Sequence, residues 1–380
     1  MADMIPFIDL KAQRARLKAQ MDEAIAKVLD EGRYILGPEV HELEGKLAEF
    51  NGMGRALSCA NGTDAILIPL MSWGIGPGDA VFVPSFTFAS TAEVVVLAGA
   101  SPVFVDIDRD TYNLDAASLE AAIDAVKAEG KLTPRAVIAV DLFGQPADYP
   151  RLRAVADAHD LKLVSDCAQG FGCTLDGQSS LNWADVLTVS FYPAKPLGAY
   201  GDGGAVLCKD DALYDVMKSV RVHGEGKDRY EYARIGLNSR LDTLQAAILL
   251  SKLSVFREEI DLRQAVADKY NAGLGQDVKT PHVIAGARST WAQYTIEVSG
   301  RDAFRSHMGE HGVPTAVYYP IPLHMHEPYA HYPRAPEGLS VTEDVAQRVV
   351  SLPMHPDMPD AHIEQVVSAV KQCDAAHYKG

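Results

Sequence analysis

The stretch SFYPAKPLGAYGDGG, Ser190 to Gly204, holds a lone lysine, Lys195, between Pro193 and Pro196, just behind the apolar run VLTVSFYP. Each proline fixes φ and removes a backbone donor, so the turn is stiff and the lysine side chain is aimed. A solvated lysine needs no such mounting. An apolar run of this kind ends at the edge of a sheet, and ligands of open α/β sheets bind outside the carboxyl ends of the strands. A lysine held there and partly desolvated has a lowered pKa and becomes a nucleophile toward carbonyl carbon, which is Schiff-base chemistry.

A matching carboxylate lies 29 residues earlier, where Asp166 closes the apolar strand of VSDCAQGFG, with Gln169 just beyond it. Alone, such an aspartate caps a turn. Beside a Schiff-base lysine it has a sharper use. Pyridoxal phosphate acts as an electron sink only while its ring nitrogen stays protonated, and a buried carboxylate facing that nitrogen raises its pKa. Gln169 would then reach the ring oxygen. The phosphate needs donors, and SCANGTDAILI supplies a turn at Asn61, Gly62 and Thr63 that opens into a helix from Asp64. The free amides of a helix N-terminus form an anion site. Ser190 offers a hydroxyl to the same phosphate, and Phe88 in PSFTFAST is the aromatic expected to stack on the pyridine ring, with core packing as its ordinary alternative.

In NSRLDTLQAAIL, Ser239 with Asp242 reads as a capping-box start. That places Arg240 in a first helical turn, where the macrodipole disfavours a cation. A neighbouring carboxylate, or a ligand's phosphate or carboxylate, should compensate it. Two other patterns are set aside. GIGPGD leads from a helix into a strand, the reverse of a dinucleotide fingerprint. LHMHEPYAHY carries His324, His326 and His331 near Glu327, but with Pro and Tyr interleaved it reads as a surface loop lining a pocket rather than as a metal site.

The elements that must position these residues follow from periodicity. The chain has 380 residues, 47% hydrophobic and 23% charged. That length suits one large and one smaller lobe, since single cores stop growing at roughly 250–300 residues. Seven β-rich runs, ALSCA, AVFVPSF, PVFVDID, AVIAVDLFG, KLVSDCAQ, VLTVSFYP and GGAVLCK, alternate with helical patterns between about residues 56 and 209. Several are apolar on both faces, which indicates an α/β domain with a mainly parallel, helix-covered sheet. A helix from Ser239 to about Tyr270 is expected to leave this domain for a small α+β one, giving units 1–250 and 251–380. In the second unit WAQYTIEV and PTAVYYP read as strands, and DAFRSHMGEHG and DAHIEQVVSAVKQC as helices.

A formal charge of −16 with no basic run argues against nucleic acid as a partner. No apolar run approaches the roughly 20 residues that span a bilayer, and the opening MADMIPFIDLKAQRARLK lacks the pattern of a signal peptide, so a cytoplasmic location is expected. The five cysteines are scattered and unpaired in spacing, and read as small buried hydrophobes.

The motifs NGTDA, SDCAQ, SFYPAKPLGAYGDGGA, NSRLDTLQAAIL and YYPIPLH, in this order, make the chain resemble the DegT/DnrJ/StrS sugar-nucleotide aminotransferases over nearly its whole length. FIDLKAQRARL and GRYILGPEV narrow the likeness to members that aminate UDP-2-acetamido-2-deoxy-hex-3-uluronate at carbon 3. The resemblance implies the aspartate-aminotransferase fold, fold type I, and pyridoxal 5'-phosphate as cofactor, with pyridoxamine phosphate formed between two half-reactions. It implies that Lys195 forms the internal aldimine, Asp166 pairs with the pyridine nitrogen, Gln169 touches the ring, Gly62, Thr63 and Ser190 hold the phosphate, and Phe88 stacks. It implies a homodimer in which Asn238 reaches the neighbour's phosphate and Arg240 the neighbour's substrate, while Tyr318, Tyr319 and His324 lie toward the sugar. The resemblance leads to an expectation of histidine at 318, so the tyrosine there bears on the choice of sugar. L-Glutamate is the implied amino donor and bacterial surface polysaccharide the implied destination. The rival substrates are UDP-3-keto-N-acetylglucosamine and a dTDP-3-keto-6-deoxyhexose. A dehydratase of the same family has histidine in place of Lys195, and a non-catalytic cofactor-binding regulator could dispense with Lys195 or Asp166; this chain has both.

Overall fold

The computed structural model describes residues 5–228, 230–275 and 278–373. All seven β-rich runs become strands of one sheet: Arg55–Cys59 (β1), Asp79–Pro84 (β2), Ser101–Val105 (β3), Thr133–Val140 (β4), Lys162–Asp166 (β5), Val186–Ser190 (β6) and Gly204–Cys208 (β7). They lie side by side in the order β1-β7-β6-β5-β4-β2-β3. β7 alone runs antiparallel to its neighbours, and the other pairings are parallel.

The alternation of side chains explains why the runs are apolar on both faces. Leu187, Val189, Ala205 and Leu207 enter a core with Val40, Leu43 and Leu249. Val186, Val206 and Cys208 enter the opposite core with Ile66, Leu70 and Met217. Helices therefore cover both sides of the sheet, as an α/β fold requires. Register then sets the carboxyl ends level, because Val140 pairs with Asp166, Asp166 with Thr188, Ser190 with Gly204 and Gly204 with Cys59. Asp166, Ser190 and the turn after Cys59 are thus brought to one rim by backbone pairing alone. No helix among the described residues is long and apolar enough to cross a membrane.

The expected helix from Ser239 differs in two ways. It starts at Thr243, since residue 242 is held in a bridge to Ile35, and Ser239 is buried with its hydroxyl accepting from the Ala60 amide at 3.2 Å. It also breaks after Leu253, and a second helix, Phe256–Leu274, carries the chain onward. Phe256 packs there against Phe50 and Phe171, with centroids 5.3 and 6.0 Å away. Beyond it a second core gathers Tyr270, Tyr294, Phe304, Val350 and Val366. The helices Arg301–Glu310 and Asp360–Gln372 and the strand Tyr294–Glu297 match expectation, but that strand pairs with Val349–Leu352. PTAVYYP supplies only a bridge at Ala316. Ile5 joins the second core and bonds Gly312, so the first described residues pack away from the large sheet with which periodicity grouped them.

All five cysteines are buried, as composition suggested. Two of them hold a buried carboxylate. Asp141, just past β4, accepts from the Ala147 amide at 3.0 Å and the Tyr149 hydroxyl at 2.7 Å. The thiols of Cys167 and Cys173 donate to its other oxygen at 2.9 and 3.4 Å. Burial pushes this carboxyl up to about 6, against the lowering effect of those donors. A carboxyl raised on folding contributes stability that is full below the unfolded pKa of about 3.9 and is lost as pH rises through the folded value. The stability gap between wild type and Asp141→Asn, measured by denaturant unfolding, should therefore shift against the wild type by on the order of 3 kcal/mol between about pH 4 and about pH 8. A gap independent of pH would contradict this.

Candidate active site

The site is built from the carboxyl ends of β1, β5 and β6 with the loop after β2. Asp166 ends β5, buried at 4% exposure. Its Oδ1 accepts from the Ala168 amide at 3.0 Å, so the turn-capping role of an aspartate is fulfilled by one oxygen. The other has no protein hydrogen-bond partner among the described residues. Lys195 lies in the loop after β6, half-buried, its amide bonded to the Tyr192 carbonyl at 2.8 Å. The two are electrostatically coupled. Burial raises the Asp166 carboxyl, opposed by the Ala168 amide and by Lys195. Burial lowers the Lys195 ammonium, opposed by Asp166. Desolvation thus favours the free amine that a carbonyl nucleophile needs, while the carboxylate keeps the cation within reach.

The anion turn is as close to β6 as packing allows. The helix Gly62–Ser72 begins at the predicted turn, capped by Asn61, whose side chain accepts from the Asp64 amide. A Cβ added at Gly62 would sit 2.6 Å from the Ser190 Cβ, so only glycine lets the helix N-terminus and the Ser190 hydroxyl face one volume. The amides of a first turn have no intrahelical acceptor. Gly62, Thr63 and Ser190 together present hydroxyls and amides without a Cβ between them, which fits a phosphate.

Gln169, buried, is held at both ends of its amide. Its Oε1 accepts from the Phe143 amide at 2.6 Å, and its Nε2 donates to the Tyr319 hydroxyl at 3.1 Å. Phe88 is 57% exposed, with its ring centroid 6.3 Å from that of Tyr319; a flat aromatic open to solvent over a polar floor is a stacking surface. Tyr318 is half-buried beside Phe7. The oppositely placed carboxylate and lysine, the stacking ring and the glycine-walled anion turn fit pyridoxal phosphate in its three parts: ring nitrogen, ring face and phosphate.

Two expected residues are placed differently. Arg240 precedes its helix instead of occupying the first turn, and it donates to Asn238 Oδ1 at 2.6 Å, so the macrodipole conflict does not arise. His324 is buried at 6% exposure, not on a surface loop. Its Nδ1 meets Ser85 Oγ at 2.7 Å and its Nε2 meets Glu343 at 3.1 Å, so both ring nitrogens are engaged behind the Ser85–Phe88 turn and neither is free for a sugar. No local pattern singles out Ser85, or Gln245, whose side chain bonds both the amide and the carbonyl of Tyr200 in the Lys195 loop. No group of three or more His, Cys, Asp or Glu among the described residues is placed to hold a metal. A concavity of about 670 Å³, lined by Gln20, Lys27, Glu39, Lys46, Ala247 and Arg257, shares no residue with this site.

A seven-stranded, mainly parallel sheet of this order, with a lysine and a carboxylate at its carboxyl rim, is the architecture of the fold type I enzymes that use pyridoxal 5'-phosphate. The chain belongs to the DegT/DnrJ/EryC1/StrS aminotransferase family, whose sequence profile matches residues 15–371. It is 48% identical over 370 residues to the UDP-2-acetamido-2-deoxy-3-oxo-D-glucuronate aminotransferase of Pseudomonas aeruginosa, covering 97% of this chain and 99% of that one. Its fold superposes on a family aminotransferase from Brucella abortus with a TM-score of 0.95, at 50% identity and 97% and 98% coverage of the two chains. It superposes on S. venezuelae DesV, solved with a ketimine intermediate, with a TM-score of 0.92 at 36% identity, covering 98% of each. The protein is a pyridoxal-phosphate-dependent aminotransferase.

Proposed function

We propose that this aminotransferase moves an amino group from L-glutamate to carbon 3 of a UDP-linked 2-acetamido-2-deoxy-3-ketohexuronate, for bacterial surface polysaccharide. The observation that supports the catalytic assignment is the strand register that brings Asp166 and the start of the Lys195 loop at Ser190 to one rim, where burial raises the Asp166 carboxyl and lowers the Lys195 ammonium. The bound cofactor supplies an aldehyde and an electron sink. Lys195 Nζ would hold the cofactor by its aldehyde and, once freed, would be the amine that moves a proton at the substrate carbon. Asp166 would keep the ring nitrogen protonated, Gln169 would bond the ring oxygen, Phe88 would cover the ring face, and Gly62, Thr63 and Ser190 would bind the phosphate. Two half-reactions follow, with 2-oxoglutarate leaving before the ketosugar enters.

The substrate class is supported by the relative at 48% identity. Arg240 is the cation assigned to the sugar's 6-carboxylate, and Tyr318 and Tyr319 line the approach to it. Arg240 and Asn238 serve the site of a second copy, and Tyr232, Ile235, Tyr34 and Ile35, all exposed in the single chain, support such a homodimer; a solution mass of one chain would argue against it. The division into units at about 250/251 is supported by the helix break after Leu253 and by the second core beyond it, which Ile5 also joins. A cytoplasmic site of action accords with nucleotide-sugar substrates. The test compares initial rates on the 3-ketouronate, its analogue lacking the 6-carboxylate, and a dTDP-3-keto-6-deoxyhexose. A charge-assisted contact to Arg240 of about 1.5–3 kcal/mol should favour the uronate in kcat/KM by roughly 10- to 100-fold. Equal rates on the first two would remove the carboxylate from recognition.

A further inference from the structure

We propose that Lys252 is the positioning residue for Lys195: a buried ammonium that clamps the loop of the reacting lysine from beneath, through the Gly198 carbonyl and the Tyr200 ring. The inference deepens the reading in which Lys195 attaches the cofactor.

The loop between β6 and β7 is folded back on itself. Phe191 donates its amide to the Gly203 carbonyl at 2.7 Å, and Ala199 donates to the Phe191 carbonyl at 2.7 Å. Gly198 packs so tightly on this turn that an added Cβ would lie 2.4 Å from the Pro193 carbonyl oxygen. The helix Thr243–Leu253 grips the loop from one face. Gln245 takes the amide of Tyr200 at 2.9 Å. Two turns on, and so on the same helical face, Lys252 is 1% exposed. Its Nζ donates to the Gly198 carbonyl at 2.6 Å and stands 4.2 Å from the Tyr200 ring centroid.

A buried ammonium is costly unless it is compensated. Lys252 forms no ion pair among the described residues, and Glu259, one helix further, acts on it only at longer range. The Glu259 carboxylate is taken by Gln13 and Arg16. The charge of Lys252 is therefore directed into one carbonyl and one aromatic face, both in the loop that aims Lys195. A methionine would fill the same space with less desolvation cost, but it could neither donate to Gly198 nor attract the Tyr200 ring.

The test uses Lys252→Met, which keeps length and volume, and Tyr200→Leu, which removes the ring and leaves the ammonium. Three readings are taken on each holoprotein: hydrogen exchange of the 191–203 backbone amides, the pH midpoint of the visible absorbance band of the lysine-bound cofactor, and the single-turnover rate with L-glutamate. The clamp predicts faster exchange in the loop in both variants and a displaced band midpoint. It also predicts a half-reaction slower by about 10- to 100-fold in Lys252→Met, as a small misplacement of a reacting group allows, with glutamate affinity unchanged. A smaller effect of the same sign is expected for Tyr200→Leu. Exchange, midpoint and rate all indistinguishable from wild type would overturn the inference. If Lys252→Met does not fold, Tyr200→Leu decides by the same readings. If the wild type shows no band but the variants still loosen the loop, the clamp stands and the cofactor assignment of Lys195 falls.

Discussion

Lys195→Ala should lose turnover by at least about 10⁴-fold, the upper range for a positioned proton-transfer group, because the same atom both attaches the cofactor and carries the proton. The protein should nonetheless fold, since Lys195 is half-buried and its hydrogen bond to Tyr192 is made by its backbone amide. It should also keep cofactor, since the Gly62–Thr63–Ser190 turn that fits the phosphate is untouched. A small primary amine added to the solution should restore part of the first half-reaction, because it replaces the missing proton carrier. Lys195→Arg should not rescue, since a guanidinium stays protonated at any working pH. The measurement is single-turnover conversion of L-glutamate by loaded protein. A folded, loaded Lys195→Ala with wild-type turnover would remove Lys195 from the chemistry.

Asp166→Asn should give the second largest effect, a first half-reaction about 10²- to 10³-fold slower, comparable to losing one preorganised electrostatic contact. The amide has the volume of the carboxyl and still accepts from the Ala168 amide, so the turn survives. It cannot hold a proton on a facing ring nitrogen, and the electron sink weakens. Two further signs follow from the coupling. Asp166 opposes the lowering of the Lys195 ammonium, so its neutralisation should lower that group further. A buried carboxyl whose pKa is already raised is being desolvated at a cost, so the variant should be as stable as the wild type or more so. Activity lost with stability kept identifies a functional carboxylate. Stability lost with the rate kept would make Asp166 a turn-capping residue and nothing more.

Much of the fold was legible because the sheet is buried on both faces, which leaves near-continuous apolar runs that periodicity finds. The rim residues were legible for a related reason: Lys195 sits between prolines, Asp166 ends a strand, and Gly62 stands in a turn at a helix start, so residue type and local setting coincide. The failures share another cause. Ser239 carries the right type for a cap, but a bridge between Ile35 and Asp242, more than 200 residues apart in sequence, moves the helix start to Thr243. The helix break after Leu253 depends on Phe256 finding Phe50 and Phe171, contacts no local window contains. His324 reads as one histidine of a polar loop until Ser85 arrives from β2 and Glu343 from a later helix. Lys252 reads as a solvated helical lysine until the Gly198 carbonyl comes to meet it. In each case long-range pairing, rather than residue type, decides burial and therefore role.

Among the described residues, Lys195 and Lys252 are also the two lysines whose surroundings lower their pKa, which makes one experiment decisive for the assignment of the nucleophile. Holoprotein reduced with borohydride fixes the cofactor to the lysine that carries it, and peptide mass spectrometry locates the modified residue. The account predicts the modification on Lys195 alone. Modification of Lys252 or any other lysine instead, or none in loaded protein, would contradict it.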